Sequence, residues 1–261
     1  MAAIAVVLLL AVLFFWSRTR GPYHDYELDT VSDAGAPVSV TLQAGVAKRD
    51  ISPPPGTYDT WTDADGDGIF REGVDSYEDA NGNGRFDPLW LAGFDNPRAA
   101  QGMAQPIDVR ALALRNNGTT VVLVTADMIG VVHNDVLAIR EAVDPALGIG
   151  HILISATHTH EVPDPVGMWS HPVPFISFEP SYIDFVRPRI VEAIEDAVAA
   201  LEPAEMYCVQ TVVPEEGFVR DSRLPRVMDP NLYAFRFAHP DKDETIATFV
   251  NWGNHPDELF V

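Results

Sequence analysis

The chain has 261 residues, 47% of them hydrophobic, with 38 acidic against 17 basic side chains and a formal net charge of −21. That length and apolar content support one large packed domain or two small ones. The charge argues against binding a nucleic-acid backbone, which requires clustered Lys and Arg, and the single cysteine, Cys208, excludes an intrachain disulfide.

In chain order, residues 2–16 form an unbroken apolar run of about fifteen residues. This is short for a membrane span and suits a signal h-region or a short anchor. Arg18 and Arg20 follow, with no small-residue cleavage signal. Segment 1–20 is therefore read as an uncleaved anchor that associates the protein with a membrane. The two arginines favour an internal C-terminus, whereas the calcium-type loops described below favour an extracytoplasmic location, periplasmic or extracellular, or a secreted protein; the second is adopted. Residues 21–37 are polar and Asp-rich and read as a linker. A globular domain is expected over 38–261, broken by an acidic insertion at 57–90.

Residues 38–42 alternate like a strand, and 44–55 run into a proline-imposed turn. Residues 91–104 read as a short helix or loop. Residues 107–114 and 119–126 read as strands joined by an Asn116-Asn117-Gly118 hairpin turn. An amphipathic helix is expected at 134–143, a strand at 151–156, and a long helix at 182–201 carrying Ile183, Val186, Ile190 and Ile194 on one stripe, with Pro188 kinking it or delaying its start. Strands follow at 206–213, 232–237 and 245–250. Cys208 lies in the first of these and reads as a small buried core residue. The strand–helix–strand alternation predicts an α/β fold, a layered mixed β-sheet domain with flanking helices. The chain ends at Val261 with nothing that reads as a closing element, so the domain is read as incomplete at its C-terminus.

Within the insertion, Asp63, Asp65 and Asp67 precede Gly68, and Asp79, Asn81 and Asn83 precede Gly84, with Asp87 just beyond. Both loops space side-chain oxygens at positions 1, 3 and 5 and put glycine at 6, which suits hard Ca²⁺. Position 12 holds Val74 in one loop and Trp90 in the other, not the Glu of an EF-hand. The loops are read as calcium-loop-like with a structural role, because neutralisation relieves the repulsion among these carboxylates; a merely solvated acidic segment is the other reading.

The strand at 151–156 leads into Thr157-His158-Thr159-His160. Residues i and i+2 share a strand face, so both imidazoles point one way if the strand persists. Neutral imidazole is the commonest metal ligand. About ninety residues later a second apolar run ends in Asn251-Trp252-Gly253-Asn254-His255-Pro256. Two strands delivering histidines to their ends is how a metal site is commonly assembled. Asp127, at the end of strand 119–126, reads either as an acid orienting a ligand histidine or as a cap or loop acid. Glu161 reads as a loop acid. His24, His133, His151, His171 and His239 have no partner pattern and are read as non-catalytic.

These pieces together resemble the neutral/alkaline non-lysosomal ceramidase family. The resemblance runs from about Ala44 to the C-terminus, outside the insertion. It rests on Ala44-Gly45 through Asp50-Ile51-Ser52-Pro53, Leu91-Ala92-Gly93-Phe94, Val109-Arg110-Ala111, Val124-Thr125-Ala126-Asp127, the Thr-His-Thr-His element and the Asn-Trp…His-Pro element. It implies a zinc-dependent amidase that cleaves the N-acyl bond of ceramide, a lipid substrate. It implies His158 and His255 as zinc ligands, His160 beside the reacting carbonyl, and further Glu and Tyr ligands beyond Val261. It also implies an active-site arginine, for which Arg220 is the nearest match and Arg223 competes. Where ceramidases follow the histidine pair with Ser-Gly-Pro, this chain has Glu161-Val162-Pro163-Asp164, which leaves the substrate class open. Two other functions fit the same residues: a zinc hydrolase for a different amide or ester, and a non-catalytic, calcium-stabilised surface protein.

Overall fold

The computed structural model describes residues 2–19, 41–93, 97–169, 180–214, 221 and 224–255. Two compact units result, Met1–Val38 and Ser39–Val261. The first contains helix α1 (Ala2–Thr19). No helix among the described residues is long and apolar enough to cross a membrane, so the expected membrane anchor is not supported. The physical reason is length. An apolar run of about fifteen residues rises about 22 Å as a helix, against a hydrocarbon core of about 30 Å.

The second unit comprises β1 (Leu42–Asp50), β2 (Thr60–Thr62), β3 (Ser76–Glu78), β4 (Asp108–Asn116), β5 (Thr119–Ala126), α2 (His133–Ala142), β6 (Ile149–Ala156), α3 (Pro180–Ala199), β7 (Glu202–Val212), β8 (Asn231–Ala238) and β9 (Thr245–Trp252). Seven strands form one mixed sheet in the order β6-β5-β4-β1-β7-β8-β9; β2 and β3 form a separate ribbon. The expected strand at 38–42 lies mostly outside the described residues, and β1 begins at Leu42. Of the 91–104 segment, the described residues 91–93 and 97–104 are not helical and carry isolated bridges at Leu91 and Ala99, the latter to Trp90 just before the segment.

Local chemistry accounts for the elements. β4 and β5 pair antiparallel through Asn116 and Thr119. Asn117 and Gly118 both have positive φ, 48° and 82°, which a two-residue type I′ hairpin demands. The α3 stripe of Ile183, Val186, Ile190, Ile194 and Ala197 is fully buried. Pro188 lies inside the helix on an exposed position, where it leaves the carbonyl four residues earlier without its usual donor.

The sheet has two different faces. Val109, Ala111, Ala113, Val122, Val124 and Ala126 point one way, into a core shared with α2 and α3. Leu112, Leu114 and Leu123, one residue out of phase, point the other way and pack with Phe235, Phe237, Ile246 and Phe249 of β8 and β9. β1 and β7 pair only over Leu42–Ala44, so the sheet bends there and its last strands fold back across the second face. The layers run helices, sheet, sheet. This fold-back carries the end of β9 toward the ends of β5 and β6 although the sheet order puts β9 at the far edge. It also corrects the reading of Cys208. Helix α3 packs on β1, β4 and β5 and α2 packs on α3, and on β7 Cys208 is exposed beside Met206, Tyr207 and Val209.

The insertion is held by its own aromatic cluster. β2 and β3 pair through Trp61 and Tyr77; Phe70 and Phe86, one from each loop, stack at 3.7 Å between ring centroids. Trp61 is buried and donates from Nε1 to the Ala99 carbonyl at 3.0 Å, joining the insertion to the 91–100 loop.

Candidate metal centre

β5 and β6 run parallel and end level, Ala126 beside Ala156. Their alignment continues past the strands: the Thr157 amide donates to Ala126 and the His158 amide to Met128, both at 2.9 Å. His158 then adopts φ 62°, a left-handed conformation that costs a non-glycine residue about 1 kcal/mol or more and is held only where surroundings enforce it. The enforcing contact is a 2.6 Å hydrogen bond between His158 Nδ1 and the Ile129 carbonyl. A carbonyl only accepts, so Nδ1 carries the proton and Nε2 presents its lone pair.

Three histidines meet there. Ring centroids lie 5.1 Å apart for His158 and His160, 4.7 Å for His158 and His255, and 4.8 Å for His160 and His255, with interplanar angles of 79°, 80° and 79°. One ring nitrogen from each lies within 4.8 Å of the others. His160 is buried; His158 and His255 are exposed. The donor set, three imidazoles with one tautomer fixed, fits a borderline transition ion such as zinc. The structure brings together all three histidines marked in the sequence.

His160 is supported on two sides. A Cβ on Gly93 (φ 76°) would stand 2.4 Å from His160 Cγ and 2.6 Å from Nδ1, so the ring lies flush on this glycine. Arg98 donates from Nη2 to the His160 carbonyl at 2.7 Å and to the Ala92 carbonyl at 2.9 Å, and from Nη1 to Glu161 at 3.0 Å. Glu161 is thus a loop acid paired with Arg98. Asp164 is buried and accepts from the amides of Val166, Gly167 and Trp169 at 2.7–2.9 Å, folding the segment after the pair into a tight loop. Asp127 accepts from Arg110 Nη1 at 2.9 Å and the Asp108 amide at 3.2 Å; the orienting of His158 falls to a backbone carbonyl instead. Arg98 and the Ile129 carbonyl left no sequence signal, since one is a lone arginine in a loop and the other is backbone. Arg220 and Arg223 lie outside the described residues.

No family model matches the chain, and no curated protein matches it. Among solved structures it is similar to a ceramidase complexed with C2 and to neutral ceramidase from Pseudomonas aeruginosa, each at TM-score 0.58 and 16% identity over 81% of this chain. The fold is ceramidase-like. The match spans 31% of the length of either ceramidase. In this ceramidase-like fold the histidine cluster stands where parallel strands β5 and β6 end, the customary location of ligand sites in open α/β sheets.

The acidic loops form a second oxygen-rich cluster. Carboxylate oxygens of Asp63, Asp65 and Asp67 lie within 4.8 Å of one another. Asp63 accepts from the amides of Gly66 and Gly68, and Asp79 from those of Gly82 and Gly84. The Gly68 amide is the main cause holding Asp63 below the usual carboxylate range, and the Gly84 amide does the same for Asp79. Asp65 is pushed up, first by desolvation and then by Asp67. Arg71 pairs with Asp65 and Asp67. Asn81 and Asn83 donate from their side chains to Asp87, and the Asn83 amide donates to Asp79, linking these four residues.

Proposed function

We propose that this chain carries the histidine portion of a zinc centre in a ceramidase-like hydrolase that cleaves an N-acyl amide, with ceramide as the first substrate to test. The observation carrying this reading is the convergence of His158, His160 and His255 from separate layers of a fold shared with solved ceramidases.

His158 and His255 would hold the zinc, His158 through Nε2 because Nδ1 is engaged by Ile129. When bound, zinc supplies Lewis acidity and lowers the pKa of a coordinated water to about 7. His160, gripped by Gly93 and Arg98, would donate a hydrogen bond to the oxygen of the reacting carbonyl or shuttle a proton to the leaving amine. One such donor is worth about 2.7–4 kcal/mol of transition-state stabilisation. Arg220 is proposed as a second substrate-side cation. The acidic loops, through Asp63, Asp65, Asp67, Asp79, Asn81, Asn83 and Asp87, are proposed to hold calcium structurally, which accords with an extracellular or periplasmic location. The catalytic unit would be residues 38–261 with the insertion at 57–90.

The test is metal analysis and turnover of the full-length protein. About one zinc per chain is expected, with His158→Ala losing both metal and hydrolysis. Activity in a zinc-free wild-type sample overturns the proposal. A panel of N-acyl amides and esters tests the substrate class; the Glu161-to-Gly167 segment, folded by Asp164, favours extending it beyond ceramide.

A further inference from the structure

We propose that Arg98 is a positioning residue for His160, setting the imidazole of the hydrolytic centre from outside the histidine-bearing segments. The inference rests on the proposed hydrolase reading for its activity arm and on geometry alone for its spectroscopic arm.

The two segments that Arg98 bridges are already joined without it. The Ala92 amide donates to Val162 at 2.9 Å and the Asp164 amide to Trp90 at 2.9 Å, and Leu91 bridges Pro163. Holding loop to loop therefore does not require the arginine. What it adds is specific to one residue. Nη2 reaches the His160 carbonyl at 2.7 Å and the Ala92 carbonyl at 2.9 Å, while Nη1 reaches the side chain of the next residue, Glu161, at 3.0 Å. With the Gly93 carbonyl at 3.5 Å from Nη2, the planar guanidinium meets four acceptors in a fixed fork, which lysine cannot do.

The grip has an opposing jaw. Gly93 lies beside Ala92, and its Cα faces the His160 ring closely enough that an added Cβ would overlap Cβ, Cγ and Nδ1 of the imidazole. The backbone of His160 is thus fixed by Arg98 and its ring by Gly93, both from the same short loop. The Arg98 carbonyl accepts from Leu91 at 2.8 Å, and neighbouring Ala99 accepts from buried Trp61, so the arginine stands on a stiff base. Displacing a catalytic group by about 1 Å can cost about a hundredfold in rate.

The experiment compares R98M, R98K and E161Q in the full-length protein. Expected for R98M are about one zinc per chain, kcat lower by about a hundredfold, KM within about threefold, and altered ring-nitrogen NMR shifts of His160, assigned against H160Q. R98K, with one point donor, should recover part of kcat. E161Q should cost no more than about twofold, since the exposed ion pair contributes little. Wild-type kcat in R98M, or His160 ring shifts unchanged from wild type, overturns the proposal. If R98M does not fold, R98K decides: a folded R98K with wild-type kcat and wild-type His160 shifts overturns it. Should the wild-type protein neither bind zinc nor hydrolyse any amide or ester, the hydrolase reading fails; the ring shifts of His160 in metal-free R98M and R98K still decide the role of Arg98.

Discussion

Asp59 and Asp75 hold each other's loops. Asp59 stands four residues before Asp63 yet accepts from Ala80 at 2.8 Å and Asp87 at 2.7 Å, in the second loop. Asp75 stands four residues before Asp79 yet accepts from Ala64 at 2.9 Å and Arg71 at 2.6 Å, in the first. The insertion is therefore a reciprocal pair and folds as one unit. Asp59 is 2% exposed, and removing a buried acceptor strands its donors at about 1–3 kcal/mol each. Asp59→Ala should destabilise the protein by about 3 kcal/mol and Asp75→Ala, half-buried, by about 1. Urea midpoints check both, and equal small losses would contradict the reciprocal arrangement.

Acid should open these loops when no cation is present. Asp63 and Asp79 have carboxyl groups held below the ordinary value of 3.8, first by the Gly68 and Gly84 amides respectively. Depressed carboxyl groups contribute stability that is complete above the unfolded-state value and disappears as pH falls through the folded one. In EGTA, the melting temperature of wild type should therefore fall more steeply below about pH 4 than that of the Asp63→Asn/Asp79→Asn variant. Parallel pH profiles would contradict it.

Calcium should raise the melting temperature of wild type, because ligand binding to the folded state stabilises it by mass action. The Asp63→Ala/Asp79→Ala double variant should show no calcium-dependent shift. Thermal melts across a calcium titration decide the point, and a shift that persists in the double variant argues for binding elsewhere.

Gly45 marks where β1 passes the end of α3. A Cβ there would lie 2.3 Å from the Ala197 carbonyl oxygen and 2.7 Å from Leu201 N. Both are backbone atoms, so no side chain can swing aside. Gly45→Ala should cost about 3 kcal/mol, the upper end of ordinary overpacking. A denaturant titration that matches wild type would show that β1 and α3 are not this close.

Much of this architecture is legible because the chemistry is local. The β-branched apolar run over 119–126 becomes β5 at those same residues, and the Asn-Gly pair places its hairpin because those residues tolerate two positive φ values in succession. The stripe on 182–201 becomes α3, shifted by one turn or less. What local pattern does not carry is the covering layer. Leu112, Leu123 and Phe237 alternate like any half-buried strand positions, and nothing in them says that β8 and β9 rather than a helix lie across that face. Cys208 is misread as core for the same reason. At the site, His158, His160 and His255 stand out because each follows an apolar run. Arg98 does not, because its acceptors include two carbonyls that every residue possesses.

Gly93 offers the sharpest probe of the histidine cluster. Its φ of 76° already disfavours any L side chain, by about 1–2 kcal/mol. The added methyl of Gly93→Ala would further overlap three atoms of His160, the nearest at 2.4 Å, and the imidazole must move because Ala92 and Leu91 are tied to the facing segment. His158 keeps its bond to Ile129 and His255 arrives from another layer, so the two proposed zinc ligands are not pushed. Gly93→Ala should therefore retain about one zinc per chain while turnover falls about a hundredfold. Gly102→Ala, where nothing lies within 4 Å of the new Cβ, should match wild type in both. Loss of zinc together with turnover in Gly93→Ala would instead make His160 a metal ligand in its own right.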